Sequence, residues 1–203
     1  MSHEFDAQHP RDAKLGRFTA TTQSPAETTL DLTHEETLHD SGITATVTVT
    51  NSAGDIIEVR KYDDAVDGDG NPVISSHQFF TGREHHDPDH HTPAVRTWEE
   101  GAPALVIHYR HGEMQDPEDG GPALTFLKDG RETLHIHYSA GKMQDPEPGT
   151  PAHVATLDDG AQRQTFLTQG VATKQIDKMP LPGLSDLIPG AGLTVTRTAT
   201  RTD

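Results

Sequence analysis

Polar and apolar residues alternate strictly from Ile43 to Thr50 (ITATVTVT). Ile43, Ala45, Val47 and Val49 fall on one side, and Thr44, Thr46, Thr48 and Thr50 on the other. Successive side chains of a strand point to opposite faces, so this pattern predicts a half-buried strand. Asn51 to Asp55 (NSAGD) follows as a turn, and Ile56 to Tyr62 returns as the second arm of a hairpin. An acidic loop, Asp63 to Pro72, then leads into the apolar run Val73 to Phe80. Residues 1–40 are polar, with no sustained period. They read as a flexible N-terminal tail with a short helix across Glu35 to Leu38.

From Phe79 onward the pattern repeats. Asp87-Pro88, Asp116-Pro117 and Asp145-Pro146 recur at a spacing of 29, as do Pro93-Ala94, Pro122-Ala123 and Pro151-Ala152. The best match is HYRHGEMQDPEDGGPA from His108 against HYSAGKMQDPEPGTPA from His137; FFTGREHHDPDHHTPA from Phe79 is a degenerate first copy. Gly170 falls where a fourth copy would begin. A period in the range of about 20–50 residues marks an array of units that stack on their neighbours.

Each copy reads as two strands and a longer connection. In the second, Pro122 to Lys128 runs out, Asp129-Gly130 makes a two-residue type I′ turn, and Arg131 to Tyr138 runs back. The first copy turns at Glu100-Gly101, and the third at Asp158-Asp159-Gly160, one residue longer, which suits a bulged loop. In the return strands Leu105, Ile107 and Tyr109 align with Leu134, Ile136 and Tyr138, and this face is expected to be packed. The opposite face, with Val106 and His108, His135 and His137, then Gln164 and Phe166, is expected to be half wet. The fold class that follows is all-β: an antiparallel meander of stacked β-hairpins, an elongated repeat sheet, from about Ile43 to Thr168. Its domain is residues 41–170, after the tail 1–40. Residues 171–203 form a C-terminal cap or tail, in which Met179 to Leu193 covers the last hairpin or serves as an extended docking peptide, and Thr194 to Thr202 adds an edge strand or stays a tail.

Two resemblances can be named on these residues. The repeated Tyr-x-x-Gly-Lys/Glu-Met-x-Asp…Gly-x-Pro-Ala, with a hairpin between copies, resembles the MORN-like variant repeats of bacterial and phage proteins, some of them antitoxin-like. It covers about Val73 to Gly170. The resemblance implies an elongated sheet of stacked hairpins with an interaction role, and it carries no catalytic residues across. His9 to Phe18 (HPRDAKLGRF) is similar to short N-terminal tags on assorted actinobacterial and phage proteins.

Composition narrows the function classes. The 203 residues are 32% hydrophobic and 5% aromatic, so the core must be thin. Lys and Arg total 16 against 32 Asp and Glu, a net charge of −16. That disfavours direct binding to nucleic acid or an anionic membrane and suits a protein partner with a basic face. With no Cys, disulfides, thiolate metal sites and cysteine nucleophiles are excluded. No apolar run approaches a membrane span, and no signal-peptide core is present, so the expected location is cytoplasmic, or virion-associated for a phage-encoded chain.

The most suggestive chemistry is His85-His86-Asp87-Pro88-Asp89-His90-His91, four imidazoles and two carboxylates within seven residues. With His135 and His137 it supplies ligand types for Zn²⁺ or Ni²⁺. It also occupies the same connection as GEMQDPEDG and GKMQDPEPG, and a His-decorated loop explains it equally. Asp67 to Asn71 resembles the start of a calcium loop but offers Pro72 and Gln78 where Gly and Glu are required, so it reads as an acidic turn. There is no G-x-S-x-G elbow, Walker A loop or H-E-x-x-H. The expectation is therefore a non-enzymatic interaction or structural module without cofactor. The rivals are a metal-binding protein or metal-dependent hydrolase, and an acidic inhibitor that mimics nucleic-acid charge. Stacking puts Asp87, Asp116 and Asp145 in one row, thickened by Glu118, Asp119 and Glu147. This is the expected partner-binding edge unless each Asp caps its own turn.

Overall fold

The computed structural model describes residues 31–168, 170–180 and 192–198. The sheet lies wholly within the unit Leu32–Asp203. Its first four strands are β1 (Thr33–Leu38), β2 (Thr44–Thr50), β3 (Ile56–Val66) and β4 (Pro72–Thr81). The repeats contribute the long hairpins β6–β7 (Val95–Glu99, Ala102–Ile107), β10–β11 (Leu124–Lys128, Arg131–Ile136) and β14–β15 (His153–Thr156, Gln162–Thr168). Strands β16 (Val171–Pro180) and β17 (Gly192–Thr198) close the sequence. These pair strictly in chain order, antiparallel throughout, in an open sheet of 13 strands that runs from β1 to β17 and includes the short β5 (Glu84–His85) beside β4. No helix occurs among the described residues.

Two turn chemistries build this meander. The loops at 39–43, 51–55, 67–71 and 157–161 are closed by a pair of main-chain hydrogen bonds each, the first residue's amide donating to the last residue's carbonyl (His39 N to Ile43 O, 2.8 Å; Asn51 N to Asp55 O, 3.0 Å; Asp67 N to Asn71 O, 2.8 Å; Leu157 N to Ala161 O, 2.8 Å) and the glycine amide donating back to the first residue's carbonyl. Each carries a glycine of positive φ just before the returning strand. This is the bulged three-residue loop expected at Asp158-Asp159-Gly160. Glu100-Gly101 (φ 50° and 79°) and Asp129-Gly130 (φ 52° and 72°) are instead type I′ turns, with both central residues left-handed. Asp67 Oδ1 accepts from the amides of Asp69 and Asn71, both at 2.9 Å, so the calcium-like loop is a self-capped turn.

The connection within each copy holds a second, smaller hairpin. In the first copy β5 folds back on the end of β4; in the next two, β8–β9 (Tyr109–Arg110, Glu113–Met114) and β12–β13 (Tyr138–Ser139, Lys142–Met143) stand off the main sheet. These small hairpins also turn through type I′ pairs, His111-Gly112 and Ala140-Gly141. Each bonds to its neighbour: Gly112 N donates to His85 O (3.2 Å) and Gly141 N to Met114 O (3.1 Å). Gly112 sits at φ 75°, a conformation that favours glycine, with the Glu84 side chain packed close against it.

Three expectations need correction. The segment read as a short helix, Glu35 to Leu38, lies in strand β1, paired with β2 from Thr33↔Thr50 to Leu38↔Thr44. All six side chains of β1 are exposed, so no apolar stripe betrays the strand, and main-chain pairing overrides local helix propensity. The sheet does not stop at Thr168. Strand β16 pairs along β15 and β17 along β16, from Lys174↔Thr198 to Pro180↔Gly192, so the ends of the expected cap are strand, and Thr194 to Thr198 belong to an edge strand. The middle of that segment, 181–191, and the His9 to Phe18 stretch lie outside the described residues.

The third correction concerns the faces. Leu105, Ile107, Leu134 and Ile136 are only half-buried, whereas His108, His137 and Phe166, on the face expected to be wet, are 8%, 6% and 9% exposed. Strand alternation ends at Ile107 and Ile136, and the small hairpins start at Tyr109 and Tyr138. The residue between is turned inward at the bend. Around it sit Ala94, Ala123 and Ala152, each with no exposed surface.

The Asp-Pro edge as candidate functional site

The buried alanines mark a node that recurs in every copy. Proline before each alanine supplies no N–H, so one amide and one carbonyl must be satisfied at the bend. The carbonyls of Ala94, Ala123 and Ala152 accept from the amides of Phe79, His108 and His137 at 2.8, 2.7 and 2.7 Å. Their amides donate to Oδ1 of Asp87, Asp116 and Asp145 at 2.7, 2.8 and 2.9 Å. The same Oδ1 atoms accept a second bond from the first residue of the following small hairpin or its equivalent: Tyr109 N at 2.9 Å, Tyr138 N at 2.8 Å and Leu167 N at 2.7 Å. Each Asp main-chain amide donates to the carbonyl of that same residue, at 2.9, 2.9 and 3.4 Å. One carboxylate thus closes its own loop and ties its copy to the next.

In two copies an imidazole completes the node. His108 Nδ1–H donates to Asp87 Oδ2 and His137 Nδ1–H to Asp116 Oδ2, both at 2.7 Å. The two Asp side chains are only 16% and 18% exposed, so three donors converge on a largely enclosed acceptor. His137, expected on a half-wet strand face and among the candidate metal ligands, is instead buried and bonded to Asp116. The signal was present: His follows Asp by 21 residues in both copies, and Phe166 takes that place in the third.

The expected row therefore divides. Asp87, Asp116 and Asp145 are engaged within the fold, while Glu118, Asp119 and Glu147 stand exposed on the loop tips. Position two after the clasping Asp is acidic in every copy: Asp89, Glu118 and Glu147. Asp89 accepts from the amides of His91 and Thr92 and from the Thr92 hydroxyl, and these bonds hold its carboxyl below the usual carboxylate range. Neighbouring loops meet side by side: His90 Nδ1 lies 3.2 Å from Glu118 Oε1, Arg110 Nη2 3.7 Å from the same oxygen, and His91 Nδ1 3.9 Å from Asp119 Oδ2.

Three grooves lie along this edge. The first separates the loops of copies one and two and is floored by Tyr109, between Pro88 and Pro117. The second, between copies two and three, holds Tyr138 with Gln115, Gln144 and Pro146. The third follows the last loop, with Leu167, Pro146, Glu147 and Pro148.

The histidines proposed as metal ligands are dispersed. The His85 ring stacks on Tyr109 (centroids 5.3 Å apart) and its Nε2–H donates to Gln78. His86 Nδ1 accepts from the His111 amide, while His90 and His91 face the second loop's acids. His135 pairs with Glu132, and its ring lies edge-on to His137, 5.6 Å away. Among the described residues no three His, Asp or Glu side chains are arranged to hold a metal ion. Nor is any helix among them long and apolar enough to cross a membrane.

Fold and site together define an all-β hairpin array with a grooved loop edge. Comparison with known protein families, curated proteins and solved structures finds no match to this chain.

Proposed function

We propose that this chain is a non-enzymatic, MORN-like repeat module that docks a protein partner with a basic face along the Asp-Pro edge. The observation that carries the reading is the division of labour among the acids. Asp87, Asp116 and Asp145 are used up in closing the fold, yet each copy keeps a further exposed carboxylate at the same position beside a groove. Structural need explains the first set and also Asp89, which caps its own turn; Glu118 and Glu147 are left at the surface. The surplus of 32 acidic over 16 basic residues extends the same field beyond the edge and would speed encounter with a cationic partner.

The test compares the native chain with the triple variant Glu118→Gln, Asp119→Asn, Glu147→Gln. A partner captured from the native host should bind the native chain in a salt-sensitive way and the variant several-fold more weakly. Equal affinity and equal salt dependence would move the docking surface elsewhere.

A further inference from the structure

We infer that the grooved edge takes an extended, polyproline-like segment of its partner bearing Lys or Arg at every third residue. The inference rests on the docking role proposed for this edge and specifies which cationic chain fits it.

The spacing carries the inference. Asp89, Glu118 and Glu147 occupy one repeat position, and successive copies are offset by one hairpin, two strands of the sheet. Adjacent strands lie about 4.8 Å apart, so the row has a period of about 9.5 Å. A polyproline II chain rises about 3.1 Å per residue with three residues per turn, so every third side chain returns to the same edge after about 9.3 Å. A β-strand presents one face every second residue, about 6.7 Å, and cannot keep this register. A helix lying across the row matches only through its seventh residue, about 10.5 Å, and slips by about 1 Å per copy.

The groove floors suit the same ligand. Tyr109, Tyr138 and Leu167 recur with the period of the acids, beside Pro88, Pro117 and Pro146. Aromatic and proline surfaces of this kind accept the flat flanks of a proline-rich chain, whose conformation is already set before binding. The row is not uniform along its length. Asp89 is taken up by its own turn and Glu118 is shared with His90 and Arg110 at the first groove, while in the next copy Ser139 and Asp119 stand where Arg110 and His90 did. The cation-accepting end is therefore the one nearer Glu147.

The experiment uses the full chain and three fluorescent peptides of identical composition, read by anisotropy at low ionic strength. One repeats Lys-Pro-Ala four times; the other two place the same lysines at every second position or in one block. The in-register peptide should bind about tenfold more tightly, the effect of two exposed ion pairs acting together. The preference should vanish in Glu118→Gln/Glu147→Gln, whose circular dichroism should match that of the native chain. Equal binding of all three peptides would overturn the register while leaving an acidic docking edge. Binding of none would overturn both.

Discussion

Asp116 and Asp145 stand at the same place in successive copies and accept the same two main-chain bonds, yet their surroundings differ in one ring. Asp116 also takes His137 Nδ1–H, whereas Phe166 fills the equivalent site near Asp145 and lies under the Lys174 ammonium, 4.9 Å from the ring centroid. Both rings are under a tenth exposed, so the site selects a flat side chain first and a donor second. No buried side-chain polar atom among the described residues lacks a partner. Closing the main chain at the bend is the common requirement. The imidazole is added in the first two nodes, Asp87 with His108 and Asp116 with His137.

The sharpest way to break this comparison is Asp116→Ala. It strands the enclosed amides of Ala123 and Tyr138 and the His137 imidazole, at about 1–3 kcal/mol for each unsatisfied group. The expected loss is about 3–5 kcal/mol in denaturant unfolding, with a smaller loss for Asp145→Ala, which strands two donors. Equal losses would remove any role for the imidazole. Exchange of the rings is the next test. His137→Phe should cost about 1–2 kcal/mol, one charge-assisted bond. Phe166→His should introduce a new Nδ1–H donor to Asp145, visible as a downfield imidazole proton.

How far the fold was legible follows from where side chains report on structure. The repeat, the Asp-Gly turns and the alternation of β2 are encoded in residue types and were readable. Strand β1 was not, because all its side chains are exposed and only its main chain is paired. The small hairpins were missed because His111-Gly112 and Ala140-Gly141 lack the Asn or Asp that usually marks a type I′ turn. Capping by Asp87, Asp116 and Asp145 was a stated alternative, and the geometry selects it. What spacing alone cannot supply is that the donors come from two different places, seven and twenty-two residues ahead.

Acid is expected to act at two half-buried imidazoles, one in the first copy and one in the third. Burial pushes the His85 imidazole below its ordinary range, and His153 is lowered by burial and by the neighbouring His135 and Arg163 charges. Such groups bind fewer protons folded than unfolded. Stability is therefore complete above about pH 6.5, the unfolded imidazole value, and is lost as pH falls through the depressed ones. Glu58 adds to the loss at lower pH: burial opposes its ionisation, but hydrogen bonds from Arg60 and His77 prevail and hold its carboxyl down. Met114 and Met143 stand where His85 does in the later copies, so His85→Met should flatten part of the melting-temperature decline between pH 7 and 5. An unchanged slope would assign the acid sensitivity to other groups.

The smallest effect is expected on the loop tips. Replacing Glu118, Asp119 and Glu147 together by their amides should change stability by no more than about 0.5 kcal/mol, because their ion pairs are exposed. A large loss would mean that these acids, too, belong to the fold.

Amide hydrogen exchange tests the central claim most directly: the recurrent Asp is a clasp between copies, and the loop tips that carry Glu118, Asp119 and Glu147 take no part in it. The amides of Ala94, Tyr109, Ala123, Tyr138, Ala152 and Leu167 all donate to an Asp side chain. They should exchange as slowly as those of the central strands, while Glu118, Asp119 and Glu147 exchange at loop rates. Fast exchange at Ala123 and Tyr138 in the native chain would contradict the clasp.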